Sequence, residues 1–399
     1  MNQSQSLFIL GRQPALGLAE LESLYGSENV TPLVSAAIVN VDPKDVVFYR
    51  LGGSVKLAKV LTELPYTDFS KLANYIRKNL PAHLQYLPEG KVKFGLSCFG
   101  LKTNVAEINR TTLGIKKVIK AAGKSVRVVP NKELALGSAQ VIHNQLTSPV
   151  GMELLLVASE GKTILAQTVA EQDIEAYAAR DHGRPKRDSK VGMLPPKLAQ
   201  IIINLAVGSD DAVPGTLDTE ILDPFCGTGV VLQEALLMGY NPVGSDLDPR
   251  MVKYTVDNIH WLDHEKIATF ARDPIVEVAD ATKHTWTPSP TYIACETYLG
   301  RPFSSQPDIK VLQEVMQDVN LIHKRFLQNI TRQLGLGQRL CLAVPAWRIG
   351  SSFKHLKVLD NLEELGYNRI EFVHARREDL IYHREGQVVA RELVVLVRK

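Results

Sequence analysis

The segment Ile221-Leu222-Asp223-Pro224-Phe225-Cys226-Gly227-Thr228-Gly229-Val230 constrains this chain more than any other. Two apolar residues run into Asp-Pro, a turn with two glycines follows, and Val231 to Met238 carries a helical pattern. The pattern predicts a strand ending in a tight loop, with a helix starting on the far side. Glycines there admit a ligand close to the backbone. The helix start offers unpaired N–H groups and the positive end of its dipole. A nucleotide-like cofactor is the expected ligand.

The residues around this loop predict its setting. From Asp218 onward, strands are expected at 219–223, 241–246, 275–279, 291–296, 338–344, 369–374 and 388–397. Helices are expected at 229–238, 249–262, 308–333 and 352–365. Such alternation gives an α/β domain with a doubly wound, mostly parallel sheet. Only a turn at Tyr382–Gln387 separates the last two strands, so they should pair antiparallel. Asp246 ends the second strand about 20 residues after the glycines, where an acid can reach ribose hydroxyls, with Asp248 two residues on. Asp280 ends the third strand, near where an adenine edge would lie. No third glycine follows Gly229, because Val230, Val231 and Leu232 occupy the next places. A pyrophosphate-binding dinucleotide loop is therefore disfavoured.

At 399 residues the chain exceeds a single typical core, and 45% hydrophobic with 22% charged residues is an ordinary globular composition. No apolar run is long enough to span a bilayer, and the N-terminus does not read as a signal peptide. Cys98, Cys226, Cys295 and Cys341 stand alone, with no metal-binding spacing, so no metal site is expected. Free thiols fit a reducing cytoplasm. A net charge of +3 permits a locally basic nucleic-acid face without demanding one.

In the N-terminal half, strands are expected at 7–10, 36–41 and 54–63, helices at 14–25 and 68–80, and a short helix at 46–51. This order suggests a ferredoxin-like α+β unit over 1–80. A strand at 91–100, a basic helix at 105–122 with Arg110, Lys116, Lys117 and Lys120, and a hairpin at 152–169 follow over 81–170. On the basic helix, a solvated face and a phosphate-contacting face are both open readings. Residues 171–192 form the most charged stretch, read either as a linker or as an electropositive gate. A helix beginning near Pro196 opens the domain at 193–399.

The opening Leu7-Phe8-Ile9-Leu10-Gly11-Arg12-Gln13-Pro14-Ala15-Leu16-Gly17-Leu18-Ala19-Glu20-Leu21-Glu22 and the run Gly192-Met193-Leu194-Pro195-Pro196-Lys197-Leu198-Ala199 resemble THUMP-containing tRNA guanosine N2-methyltransferases. Asp223-Pro-Phe-Cys-Gly-Thr-Gly229 resembles the S-adenosylmethionine loop of amino-methylating enzymes. The resemblance implies a seven-stranded Rossmann-like methyltransferase domain behind a ferredoxin-like unit and a THUMP-like module that dock tRNA. It places Asp223, Phe225, Cys226, Gly227, Gly229, Asp246, Asp248 and Asp280 around S-adenosylmethionine, with Asp223 toward its methionine end. Expected partners are tRNA, with a small activating protein as an open addition, and no membrane.

The chain departs from this pattern at the fourth strand. The family carries Asp-Pro-Pro-Tyr there, and this chain has Glu296-Thr297-Tyr298-Leu299-Gly300. Aligned on the glycine, Glu296 takes the acid position, Tyr298 falls one place early, and both prolines are missing. The favoured reading keeps Glu296 as acceptor of the target amine and Tyr298 or Phe303 as the stacking ring. A DNA amino-methyltransferase and an RNA-binding protein with a degenerate domain are the alternatives. Cys295 beside the acid raises a covalent pyrimidine chemistry, weighed against the commoner inert buried thiol.

Overall fold

A computed structural model describes residues 4–188, 193–209, 219–265, 267–268, 273–303, 305, 307–350 and 352–399. The chain forms two compact units. One holds the residues up to Pro14 with Glu28–Tyr49 and Ser54–Glu175. The other holds Ala15–Ser27, Arg50–Gly53 and Ala176–Lys399.

The N-terminal half contains β1 (Ser6–Leu10), α1 (Pro14–Tyr25), β2 (Val30–Pro32), β3 (Ala36–Val39), β4 (Ser54–Leu64), α2 (Phe69–Leu84), β5 (Val92–Phe99), α3 (Val105–Ala121), β6 (Val126–Val128), α4 (Ser138–His143), β7 (Gly151–Ser159) and β8 (Lys162–Glu171). Its strands make one eight-stranded sheet in the order β2-β3-β1-β4-β8-β7-β5-β6. Strands from both sides of the expected boundary at residues 80–81 share this sheet. β4 and β8 pair from Lys56↔Glu171 to Leu64↔Thr163. α1 lies in sequence within the expected 1–80 unit and instead groups with the second unit. In α2 the Asp68 carboxylate caps the Lys71 N–H at 2.8 Å, and in α3 Asn104 caps the Glu107 N–H at 3.0 Å. Leu72, Ile76 and Leu80 on α2 and Ile108, Ile115 and Ile119 on α3 share a core with Phe94 and Leu96 of β5. Residues 46–51 yield only a 3-10 turn at Phe48–Arg50.

The second unit continues through α6 (Pro196–Val207), β9 (Glu220–Asp223), α7 (Val230–Leu237), β10 (Asn241–Asp246), α8 (Pro249–His264), β11 (Ile275–Val278), β12 (Tyr292–Glu296), α9 (Ile309–Thr331), β13 (Arg339–Ile349), β14 (Ser352–Lys354), β15 (Tyr367–Arg369), β16 (Ile381–Tyr382) and β17 (Val389–Arg398); α5 (Ile174–Ala178) straddles the boundary. The main sheet runs β11-β10-β9-β12-β13-β17-β15, with β14 paired to β13 and β16 to β17. Strands β9 to β13 are mutually parallel, and β17 inserts antiparallel between β13 and β15. This is the expected seven-strand path. Its core joins Leu222, Ile293, Leu340, Leu342, Val394 and Leu396 from the sheet to Phe326, Leu327 and Ile330 of α9.

In this unit four expectations need correction. The helix expected at 352–365 is absent. Gly350, at φ +61°, turns β13 back into β14, and a 3-10 turn at Lys357–Asn361 follows. Leu356, Val358 and Leu362 are buried from this irregular path, and the i, i+4, i+7 spacing of Val358, Leu362 and Leu365 imitates a helix. The strand expected at 369–374 shrinks to β15, whereas the one at 338–344 continues to Ile349. Residues 176–188, read as a linker or gate, pack against their own unit. Arg180 is buried with its Nε 2.7 Å from Glu234 on α7, and the Lys186 backbone exchanges two 2.9 Å hydrogen bonds with Asn258 on α8. Ser189 to Gly192 lie outside the described residues. Among the described residues, no helix is long and apolar enough to cross a membrane.

Candidate active site

The glycine loop joins the ends of β9 and β10. The Cys226 N–H donates to the Ser245 carbonyl at 2.9 Å, and the Gly229 N–H to the Cys226 carbonyl at 2.7 Å. Gly227 and Gly229 have φ of +52° and +82°, a region that L side chains rarely adopt. A Cβ on Gly229 would lie 2.7 Å from the Thr255 side chain of α8. Thr255 and Asn258 donate to the Gly227 and Thr228 carbonyls at 2.9 and 2.8 Å, so α8 clamps the loop from outside.

A cavity of about 940 Å³ opens beside this loop. Its wall brings together Asp223, Phe225, Cys226, Gly227, Asp246, Asp248, Asp280, Glu296 and Tyr298. Of the residues assigned from sequence, Gly229 and the alternative stacking ring Phe303 are not on this wall; Gly229 serves the turn and the close approach of α8.

The four acids on the cofactor side do different work. Asp223 is buried and accepts the Phe225 N–H at 3.0 Å. Burial, then the nearby Asp246 and Glu296 carboxylates, pushes its pKa well above the ordinary range. Asp246 accepts the Gly227 and Asp248 N–H groups, each at 2.9 Å, and ties β10 to the loop. Its oxygens keep second lone pairs for further donors. Asp248 caps α8 through the Arg250 N–H at 2.8 Å and pairs with the Arg250 guanidinium at 3.3 Å. Asp280 accepts the Thr282 hydroxyl at 2.7 Å and N–H at 2.9 Å and pairs with Lys283 at 3.0 Å. The Thr282 hydroxyl leads the causes that lower its pKa.

On the same cavity, Glu296 ends β12 and Tyr298 stands 43% exposed, its ring available to a planar partner. Phe225 is braced edge-on against Phe326 with ring centroids 5.0 Å apart. Sequence reasoning missed Arg391. It lies on β17, almost fully buried, and its Nε donates to Glu296 Oε1. A signal was present, because Arg391 and Glu392 interrupt the otherwise apolar run from Val388 to Val397, and buried charges there require partners. Glu392 finds its partners in Arg369 and His355. Cys295 is fully buried and its thiol is pushed well above the usual range, chiefly by burial. A thiol in that state is a poor nucleophile, which removes the support for covalent pyrimidine chemistry.

Residues 184–287 match the profile of a family described as the RMKL-like methyltransferase domain. Over 172 residues the chain is 34% identical to a tRNA (guanine(10)-N2)-dimethyltransferase of Methanothermobacter thermautotrophicus, covering 42% of each protein. Over 180 residues it is 28% identical to the enzyme of the same name from Pyrococcus abyssi, covering 44% of each. The aligned stretches thus span less than half the length of these curated relatives. Among solved structures, TrmN from Thermus thermophilus superposes with a TM-score of 0.50 at 18% identity, covering 99% of both chains. A possible methylase from Clostridium difficile 630 gives 0.50 at 12% identity, covering 98% of this chain and 97% of that one. At these identities the structural likeness establishes the fold, and the second unit has the methyltransferase fold.

Proposed function

We propose that this chain is an S-adenosylmethionine-dependent tRNA methyltransferase that methylates the exocyclic N2 of a guanosine, with position ten as the favoured target. The observation that carries the reading is the shared cavity that joins Asp223, Asp246 and Asp280 to the Glu296–Tyr298 end of β12. The names of the two curated relatives support the choice of tRNA and of guanine N2.

The residues fit the cofactor. A buried carboxyl facing a cavity with its pKa pushed up calls for a cationic partner, and the ammonium of the methionine moiety is one. Asp246 and Asp280 line the same cavity, and in this reading Asp246 meets the ribose hydroxyls and Asp280 the adenine edge. When bound, the cofactor supplies a sulfonium-activated methyl group. The protein's work is to hold the amine in line with it. Glu296, with one oxygen fixed by Arg391, offers the other to a guanine N2–H and so turns the nitrogen toward the methyl. Tyr298 stacks on the base. With the methyl supplied by direct displacement, the free Glu296 oxygen would take up the proton that N2 releases.

The first unit captures the RNA in this reading, and the protein acts in the cytoplasm. Lys71 and Lys78 of α2 and Arg110, Lys117 and Lys120 of α3 are all exposed and offer phosphate contacts. A second reading, an RNA-binding protein with an inactive domain, draws on the loss of both prolines and the capture of Glu296 by Arg391. Tritiated S-adenosylmethionine incubated with unmodified tRNA or with duplex DNA separates the readings. Label in tRNA alone is expected; label in DNA alone, or cofactor binding with no label anywhere, contradicts the proposal.

A further inference from the structure

The turn after β12 holds its shape without either proline. Thr297 occupies the first of those places and is buried. Its N–H donates to the Ala343 carbonyl on β13 at 3.1 Å, and its hydroxyl lies 2.7 Å from Nε2 of His323 on α9. His323 is itself 1% exposed, and its Nδ1 lies 2.7 Å from the Val319 carbonyl one turn earlier.

The proton positions follow. A carbonyl only accepts, so Nδ1 carries the ring proton and Nε2 is bare. Thr297 therefore gives its single hydroxyl proton to Nε2. Its 3.2 Å approach to the Ala343 oxygen is left to the peptide N–H. Burial lowers the His323 pKa to about 4, which keeps the ring neutral and this polarity fixed at neutral pH. Three residues on, Gly300 has φ +87°, and a Cβ there would lie 3.0 Å from Val315 and 3.1 Å from Val319. The turn thus rests on α9 at two points, one polar and one steric, while Arg391 holds Glu296 from β17.

We propose that Thr297 and His323 are positioning residues for the amine acceptor. Their hydrogen bond, with Gly300 seated on α9, sets the turn so that Glu296 and Tyr298 address the target base together. Hydrogen bonds and a glycine contact do here what two rigid rings do in the resembled motif. The proposal rests on the methyltransferase reading above.

The test compares Thr297→Val, which keeps the shape and loses the hydroxyl, with Thr297→Ser, which keeps the hydroxyl. In Thr297→Val, kcat should fall about tenfold to 100-fold, the scale of a misplaced reacting group. Cofactor affinity should stay near wild type, the melting temperature should fall by only a few degrees because Nε2 is left buried without a donor, and Thr297→Ser should recover most of the rate. ¹⁵N NMR of wild-type His323 should show the Nδ1-protonated tautomer at neutral pH, with the Nε2 signal displaced in Thr297→Val. Wild-type kcat in Thr297→Val, equal losses in the Val and Ser variants, or an Nε2-protonated ring each overturn the positioning role while leaving the methyltransferase reading intact. A wild-type protein that labels no tRNA overturns that reading, and this role falls with it.

Discussion

Asp223 carries the sharpest conflict between stability and function in the chain. In the free protein its pKa is raised well above the ordinary carboxylate range, first by burial and then by Asp246 and Glu296. The folded state therefore binds this proton more tightly than the unfolded chain does. That stabilisation is fully present below the ordinary carboxylate pKa and is lost as pH rises through the raised one. A cationic ligand demands the ionised form. Affinity for S-adenosylmethionine should thus increase with pH up to the raised pKa and level off above it. Asp223→Asn should remove this dependence, weaken binding about tenfold or more, and raise the melting temperature of the free protein at neutral pH. Titration calorimetry across pH, beside thermal melts, checks all three. Residues whose task is dictated by backbone or ligand chemistry are readable in the sequence: Gly227 for its positive φ, and Asp223 and Asp246 for their strand ends. Arg391 and His323 are not readable in that way. Each acts on the turn after β12 from another element, 95 and 26 residues away from its partner, and periodicity carries no record of such a contact.

At the scale of elements, the alternation of β9 to β13 with their helices is legible because a parallel sheet needs a crossover between neighbouring strands. The stretch after β13 is deceptive because Val358, Leu362 and Leu365 reach the core at helical spacing from an irregular path. The charge run 176–188 deceives for a related reason: buried and solvated arginines look alike in sequence until a partner such as Glu234 is seen. In the tRNA reading, α3 offers phosphate contacts from its outer face. Its inner face packs into the sheet core through Ile108, Ile115 and Ile119, which leaves Arg110, Lys117 and Lys120 outside. Replacing those three by glutamine should weaken tRNA binding. It should also flatten the plot of log affinity against log salt by about 0.7–0.9 for each phosphate no longer neutralised. Filter binding over a salt series measures this, and an unchanged slope would return α3 to an ordinary solvated face.

For the molecule as a whole, the two units are not consecutive in sequence. The chain passes between them at residues 14–15, 27–28, 49–50, 53–54 and 175–176. Short N-terminal segments therefore complete the second unit. Glu20 accepts the Gly52 and Gly53 N–H groups at 3.0 and 2.8 Å and Asn204 Nδ2 at 2.8 Å. Arg50 reaches Asn204 Oδ1 and the Tyr240 hydroxyl, each at 2.9 Å. Glu22 accepts the Val373 and His374 N–H groups. A fragment of residues 176–399 loses all these partners and leaves buried polar groups unpaired. It should fail to melt cooperatively and fail to bind S-adenosylmethionine, both of which the full chain should do. A cut at the charged junction suggested by sequence alone would therefore not release a working catalytic domain.

In the proposed reaction, the cavity joining the glycine loop to Glu296 and Tyr298 delivers a methyl group to guanine N2 in tRNA. The most direct measurement is nucleoside mass spectrometry of unmodified tRNA treated with the full-length protein and S-adenosylmethionine, beside Glu296→Gln. The wild type should yield N2-methylated guanosine, and the variant should be slower by about 100-fold or more. Methyl groups found on another base or atom, or a Glu296→Gln protein as fast as the wild type, would contradict it.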